Sequence, residues 1–155
     1  MTPRTARAGD HAAILELAVA FYAEDGFGTS RESLSRHLTH LLTSEAAHVA
    51  VIEDGAVIED GAEIVAFAIS TSSYGLENGR IAELEDLYVA PAFRRRGLAA
   101  RLIEDSADWA AGIGAAQLEI VIAPNGQDVS HLFDIYRARG FADEGRSILG
   151  RPIER

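Results

Sequence analysis

The stretch from Leu84 to Trp109, LEDLYVAPAFRRRGLAARLIEDSADW, constrains the fold more than any other part of the chain. Residues Ile81 to Val89 read as a strand, and Pro91 then interrupts it. From about Gly97 to Ala111, Leu98, Leu102, Ser106 and Trp109 recur on one side of a helix, which Gly112 and Gly114 end. A buried-type strand, Gln117 to Ala123, follows. Strands that alternate with helices in this half imply a mixed sheet with helices on both faces, an α/β arrangement.

The first half supplies two helices and then strands. Thr5 to Ala8 reads as a short strand. Asp10 caps a helix whose apolar positions are Ile14, Leu17, Ala18 and Phe21, and Gly26 and Gly28 stop it. Thr29 and Glu32 have capping-box spacing before the stripe Leu34, Leu38, Leu41 and Leu42. Strand-like alternation occupies His48 to Ile52 and Glu63 to Ser70. Between them VIEDGA is written twice, Val51–Ala56 and Val57–Ala62, which offers two Asp-Gly turns in one lengthened hairpin. Past Pro124–Gln127 come a helix, Val129 to Arg139, stopped by Gly140, and a last extended segment at Arg146–Leu149. The element order is βααβββαβαβ.

Composition narrows the chemistry. At 155 residues, with 48% apolar and 25% charged residues, the chain fits one domain spanning 1–155. No apolar run is long enough to span a bilayer and no secretory h-region precedes Asp10, so the expected location is cytoplasmic, away from membranes. There is no cysteine, and all 14 basic residues are arginine, which excludes thiolate metal sites, a cysteine nucleophile and a lysine Schiff base. The histidines have no metal-ligand spacing, so no metal is expected. The formal charge of −10 opposes nucleic-acid binding and favours a cationic ligand.

Where the arginine triplet enters the helix, unpaired amides and the positive end of the helix dipole meet. The backbone of Arg94, Arg95, Arg96, Gly97, Leu98 and Ala99 is thereby suited to an anion such as a pyrophosphate. A Walker loop is excluded for want of lysine, and a Rossmann fingerprint because no glycine lies two residues before Gly97.

Arg94-Arg95-Arg96-Gly97-Leu98-Ala99 resembles the (Gln/Arg)-x-x-Gly-x-(Gly/Ala) signature of the GNAT superfamily of acetyltransferases. Tyr136-Arg137-Ala138-Arg139-Gly140-Phe141 resembles the Tyr-x-x-x-Gly-Phe end of that family's fourth helix. The chain departs from the family at Val129, where many members carry asparagine, and has Asn125 in the preceding loop instead. The resemblance implies a central mixed sheet of six to seven strands with about four helices on both faces. It also implies acetyl-CoA as donor, lying between splayed strands with its arm along Leu87, Tyr88 and Val89, and Tyr136 as the acid that protonates the departing thiolate.

An acceptor amine must lose a proton before it attacks, and Glu83, Glu85 and Asp86 are the carboxylates at hand. Simple alternation puts Glu83 and Glu85 on one strand face and Asp86 on the other, unless a bulge intervenes. Asp86 is the first choice as base and Glu83 the second. Glu24, Asp25 and Glu85 are the acids expected to hold the acceptor. The layout resembles aminoglycoside N-acetyltransferases that confer antibiotic resistance. A polyamine, an amino-acid derivative and a protein N-terminus stay open as acceptors, as does a module that binds acetyl-CoA without turnover. The partner is thus a small-molecule amine, and a homodimer is the commonest assembly at this size.

Overall fold

The three long strands of the sheet alternate strictly enough to feed two separate apolar layers. The computed structural model describes residues 1–58 and 61–154. In chain order its elements are β1 (Arg4–Thr5), α1 (His11–Glu24), α2 (Arg31–Thr43), β2 (Ala47–Ile58), β3 (Gly61–Gly75), β4 (Gly79–Val89), α3 (Leu98–Gly112), β5 (Leu118–Ile120) and α4 (Ser130–Arg137). The chain divides into two compact units, Met1–Val121 with the whole sheet and α1 to α3, and Ile122–Arg155 with α4.

The sheet order is β1-β2-β3-β4-β5. The first three pairings are antiparallel, and β4 with β5 is parallel, joined through α3. The predicted mixed sheet with four helices is present, but it has five strands among the described residues, not six to seven. Arg146–Leu149 forms none: Ile148 and Leu149 are 72% and 95% exposed, and β-branched character without a ladder partner does not make a strand.

On one face Val49, Val51, Phe67, Ile69 and Tyr88 join Ile14, Ala18, Leu34 and Leu38 of α1 and α2 in a single buried cluster. Their neighbours in sequence, Ala50, Ile52, Ala66 and Ala68, face the other way with Leu84, the partner of Ser70, and are buried with Leu98, Leu102, Ile103, Ser106 and Ala110 of α3. Small residues dominate that second face of the sheet. Trp109, expected inside, is half-buried and stacks on His48 of β2, with ring centroids 5.5 Å apart.

Two caps differ from the sequence reading. Asp10 does not cap α1: its carboxylate takes a 2.6 Å bond from the Arg7 amide and a two-pronged ion pair from Arg4. Ser30, one residue after Thr29, caps α2 by accepting from the Ser33 amide at 3.2 Å. Within the duplicated hexapeptide, Asp54-Gly55 lies inside β2 at a register irregularity and makes no tight turn. Asp60 of the second Asp-Gly lies outside the described residues.

Candidate active site

One extra residue in β4 organises this end of the sheet. Ile69 pairs with Asp86, whereas Ser70 pairs with Leu84, so Glu85 is a bulge with no partner of its own on β3. Its effect on side chains is to reset the alternation. Glu83 lies opposite Thr71 and Asp86 opposite Ile69, and both therefore face α1 and α2. The strict alternation expected from sequence would have sent Asp86 to the α3 side. Glu85 accepts a 2.5 Å bond from the Thr71 hydroxyl, which keeps its carboxylate near the same face.

The bulge also ends a ladder. Leu84–Ile120 is the last of three β4–β5 pairs, and β4 runs on to Val89 without β5 beside it. This is why the strand expected over Gln117–Ala123 is only Leu118–Ile120. Ala90 donates to the carbonyl of Val65 at 2.9 Å. Alternation in an antiparallel ladder then turns the main-chain groups of Leu87 and Val89 away from β3, toward the edge that β5 has left. Tyr88 points its side chain into the α1 layer, where it packs on Phe21 at 5.3 Å between ring centroids.

Beyond Val89 the arginine loop has two left-handed residues two positions apart, Arg95 at φ 59° and Gly97 at φ 76°. Gly97 is the residue before α3, and the amides of 95–100 have no main-chain acceptor among the described residues. A run of amides in such alternating conformations, set on a helix start, forms an anion-binding concavity. Leu98 is buried and anchors the turn, while Arg94, Arg95, Arg96 and Gly97 are exposed and Ala99 half-buried.

The arginine side chains behave differently from one another. Arg94 does not extend outward. Its Nε donates to the Val89 carbonyl at 2.9 Å and its Nη2 to Glu24 at 2.8 Å, with the guanidinium over the Tyr88 ring. Tyr88 also donates to Glu24, at 3.1 Å. Arg94 chiefly holds the Glu24 carboxyl below its usual range, although partial burial opposes this. Neighbouring Asp25 is pushed up by burial and by the charge of Glu24. Arg96 lies over Phe93 and donates to the Ala92 carbonyl.

Between α1, α2 and the β3–β4 face lies a cavity of about 280 Å³. Leu34, Leu38, Leu41 and Phe67 are among its apolar lining; Tyr22, His37, Thr71, Glu85 and Asp86 are its polar and charged lining. Tyr22 donates to Asp86 at 3.1 Å. Burial lifts the Asp86 carboxyl above the usual aspartate value; the Tyr22 bond opposes that shift and the charge of Glu85 adds to it. Glu83 is lifted too, by burial first and then by Glu85 and Glu119, the latter its direct partner across the β4–β5 ladder.

In the second unit Tyr136 stands on α4 with its ring edge-on to Phe141, 5.4 Å between centroids. The Phe141 amide returns to the Tyr136 carbonyl at 3.2 Å, so the Gly140 turn closes the helix. Burial raises the Tyr136 phenol, which therefore keeps its proton near neutral pH.

The model of the Acetyltransferase (GNAT) family matches residues 11–141. This chain belongs to that family. It is 36% identical over 98 residues to aminoglycoside N(6')-acetyltransferase type 1 of Serratia marcescens, covering 59% of this chain and 63% of the relative. It is 30% identical over 80 residues to thialysine N-epsilon-acetyltransferase of Bos taurus, covering 52% and 45% respectively. The chain thus spans less than two thirds of the length of either relative. In fold it is similar to the aminoglycoside N-acetyltransferase AAC(6')-Iy in complex with CoA, with a TM-score of 0.77 at 18% identity over 97% of this chain and 93% of that one.

Of the side chains expected to serve this GNAT protein, Glu83, Glu85 and Asp86 come together on one face, and Glu24 is joined to Arg94. Tyr22 and His37 were missed by the sequence reading although they line the cavity beside Asp86. Tyr22 directly follows Phe21, the last of the apolar positions that define the α1 stripe, and nothing in the sequence says what it faces. Among the described residues no group of histidine and carboxylate side chains could hold a metal, and no helix is long and apolar enough to cross a membrane.

Proposed function

We propose that this chain, over its whole length 1–155, is an acetyl-CoA-dependent N-acetyltransferase of small primary amines working by direct transfer. The observation that carries the reading is the Glu85 bulge, because the single inserted residue turns the Leu87 and Val89 main chain to an open edge and Asp86 to the cavity. The donor's diphosphate fits the amides of 95–100, with Gly97 as the left-handed residue at their centre. Arg95 and Arg96 would add charge-assisted bonds there. Acetyl-CoA supplies an activated acyl group. Leu87 and Val89 present main-chain donors to its arm and carbonyl, Asp86 takes the proton of the acceptor ammonium directly or through water, and Tyr136 holds the proton for the leaving sulfur. Glu83 is the second choice as base, and Glu85 and Asp25 add negative potential for the amine.

An aminoglycoside acceptor is a second, finer reading, supported by the Serratia relative and by the net charge of −10. Glu24 supports it less than the sequence suggested, since Arg94 offsets its charge. The test is release of CoA thiol from acetyl-CoA by the purified protein across a panel of amines. Release that depends on the amine supports transfer. Binding of acetyl-CoA with no amine-dependent release would identify a module that holds acetyl-CoA without turnover.

A further inference from the structure

The cavity beside Asp86 is lined mostly by apolar side chains, and its two carboxylates, Glu85 and Asp86, both come from β4. We infer that its acceptor is a primary amine with a single charge at the end of an apolar body, an alkylamine or aralkylamine, and not a hydroxylated polycation. This rests on the N-acetyltransferase reading and deepens it.

Three observations support this class. The first is the lining: Leu34, Leu38 and Leu41 of α2 stand against Phe67 and Ile69 of β3, so whatever fills the depth displaces water from hydrocarbon. Hydroxyl groups placed there would lose their hydrogen bonds to water and find few protein partners in return. The second is the arrangement of charge. Glu85 and Asp86 line the cavity together, with the Tyr22 and Thr71 hydroxyls bonded to them, so one ammonium group has a local counter-charge. His37 lines the cavity from α2, and Glu24 is paired with Arg94 and does not line it. A second and third ammonium would have no carboxylate in the apolar depth. The third is size. An apolar cavity of about 150 Å³ accommodates one benzene ring, and pockets for drug-sized molecules run from roughly 300 to 1,000 Å³. At about 280 Å³ this cavity suits one aromatic ring with a short linker, or an alkyl chain of similar bulk, and encloses only part of a pseudo-trisaccharide.

The experiment measures kcat/KM at saturating acetyl-CoA for butylamine, pentylamine, hexylamine and phenethylamine, and for kanamycin and spermidine. Each added methylene is expected to raise kcat/KM about fourfold until the cavity is full. Phenethylamine should exceed kanamycin and spermidine at least tenfold. Leu41→Asn, at a half-buried position of the lining, should flatten the chain-length dependence while leaving the KM for acetyl-CoA unchanged. If the variant fails to fold, the wild-type series alone decides. Kanamycin or spermidine equal to or better than the apolar amines, or rates that ignore chain length, would overturn the inference and leave N-acetyl transfer intact. Absence of release with every amine, although acetyl-CoA binds, would overturn both.

Discussion

Tyr22, near the end of α1, donates a 3.1 Å hydrogen bond to Asp86 on β4, 64 residues further along the chain. The bond favours the charged carboxylate and burial favours the neutral acid. Burial wins, so the Asp86 carboxyl titrates above the ordinary aspartate value. If Asp86 receives the proton of the acceptor, Asp86→Asn should lower kcat/KM for the amine by about 10² to 10⁴ and leave the KM for acetyl-CoA unchanged. Tyr22→Phe removes the one bond that holds the carboxyl down, and the acidic limb of the kcat/KM profile should move to higher pH. A limb that stays in place would shift the role to Glu83, the next group to replace.

The Gly97 position tests the donor site by a separate route. A Cβ added there meets nothing within 4 Å, so the obstacle to substitution is the left-handed φ of +76° and not crowding. Gly97→Ala should cost about 1–2 kcal/mol for the left-handed conformation, a fall in Tm of a few degrees. Relaxing that φ would also swing the amides of 95–100 out of line, and the KM for acetyl-CoA should rise roughly tenfold, the equivalent of one hydrogen bond to a charged group. A lowered Tm beside an unchanged KM would separate this loop from the diphosphate.

How far the sequence could be read depended on how local the cause was. The stripes Ile14–Ala18, Leu34–Leu38 and Leu98–Leu102 each declare a helix within a few residues, and the helices are where they were expected. The left-handed turn at Gly97 is likewise local, because it depends on that residue's own φ. The Glu85 bulge was not, since it is a relation between two strands: the composition of β4 permits either face for Asp86, and only the register against Ile69 and Ser70 decides it. The Gln117–Ala123 strand was overestimated for the same reason, because the bulge in β4 removes its partner. Arg94 and Glu24, 70 residues apart, carry no mutual signal in the sequence, which offers each only as a contact to a ligand.

That ion pair makes a prediction of its own. Arg94 and Glu24 side chains are 40% and 43% exposed, so the pair should contribute under about 1 kcal/mol to stability. Its larger effect should be positional, because Arg94 ties the end of α1 to the Val89 carbonyl. Arg94→Gln and Glu24→Gln should each raise the KM for the amine severalfold, and the double variant should be no worse than either single one. Additive effects in the double-variant cycle would mean that the two side chains act separately. Glu24→Gln should leave the KM for acetyl-CoA unchanged.

At the opposite side of the sheet, Asp10 provides a test of stability that does not involve the proposed site. Arg4 chiefly holds its carboxyl below the usual range, the Arg7 amide adds to this, and burial opposes it. For an acid whose folded value is lowered, the stabilisation is fully present above the unfolded value of about 3.9 and disappears as the pH falls through the lower folded one. Asp10→Asn should therefore cost roughly 2 kcal/mol near neutral pH, the order of a charge-assisted bond to a partly buried group. The difference from the wild type should narrow as the solution is acidified, because protonation removes the same charge from the native side chain. Thermal unfolding at pH 7 and at successively lower pH measures both. A gap that stays constant on acidification would mean that Asp10 acts through the shape of the turn before α1 and not through its charge.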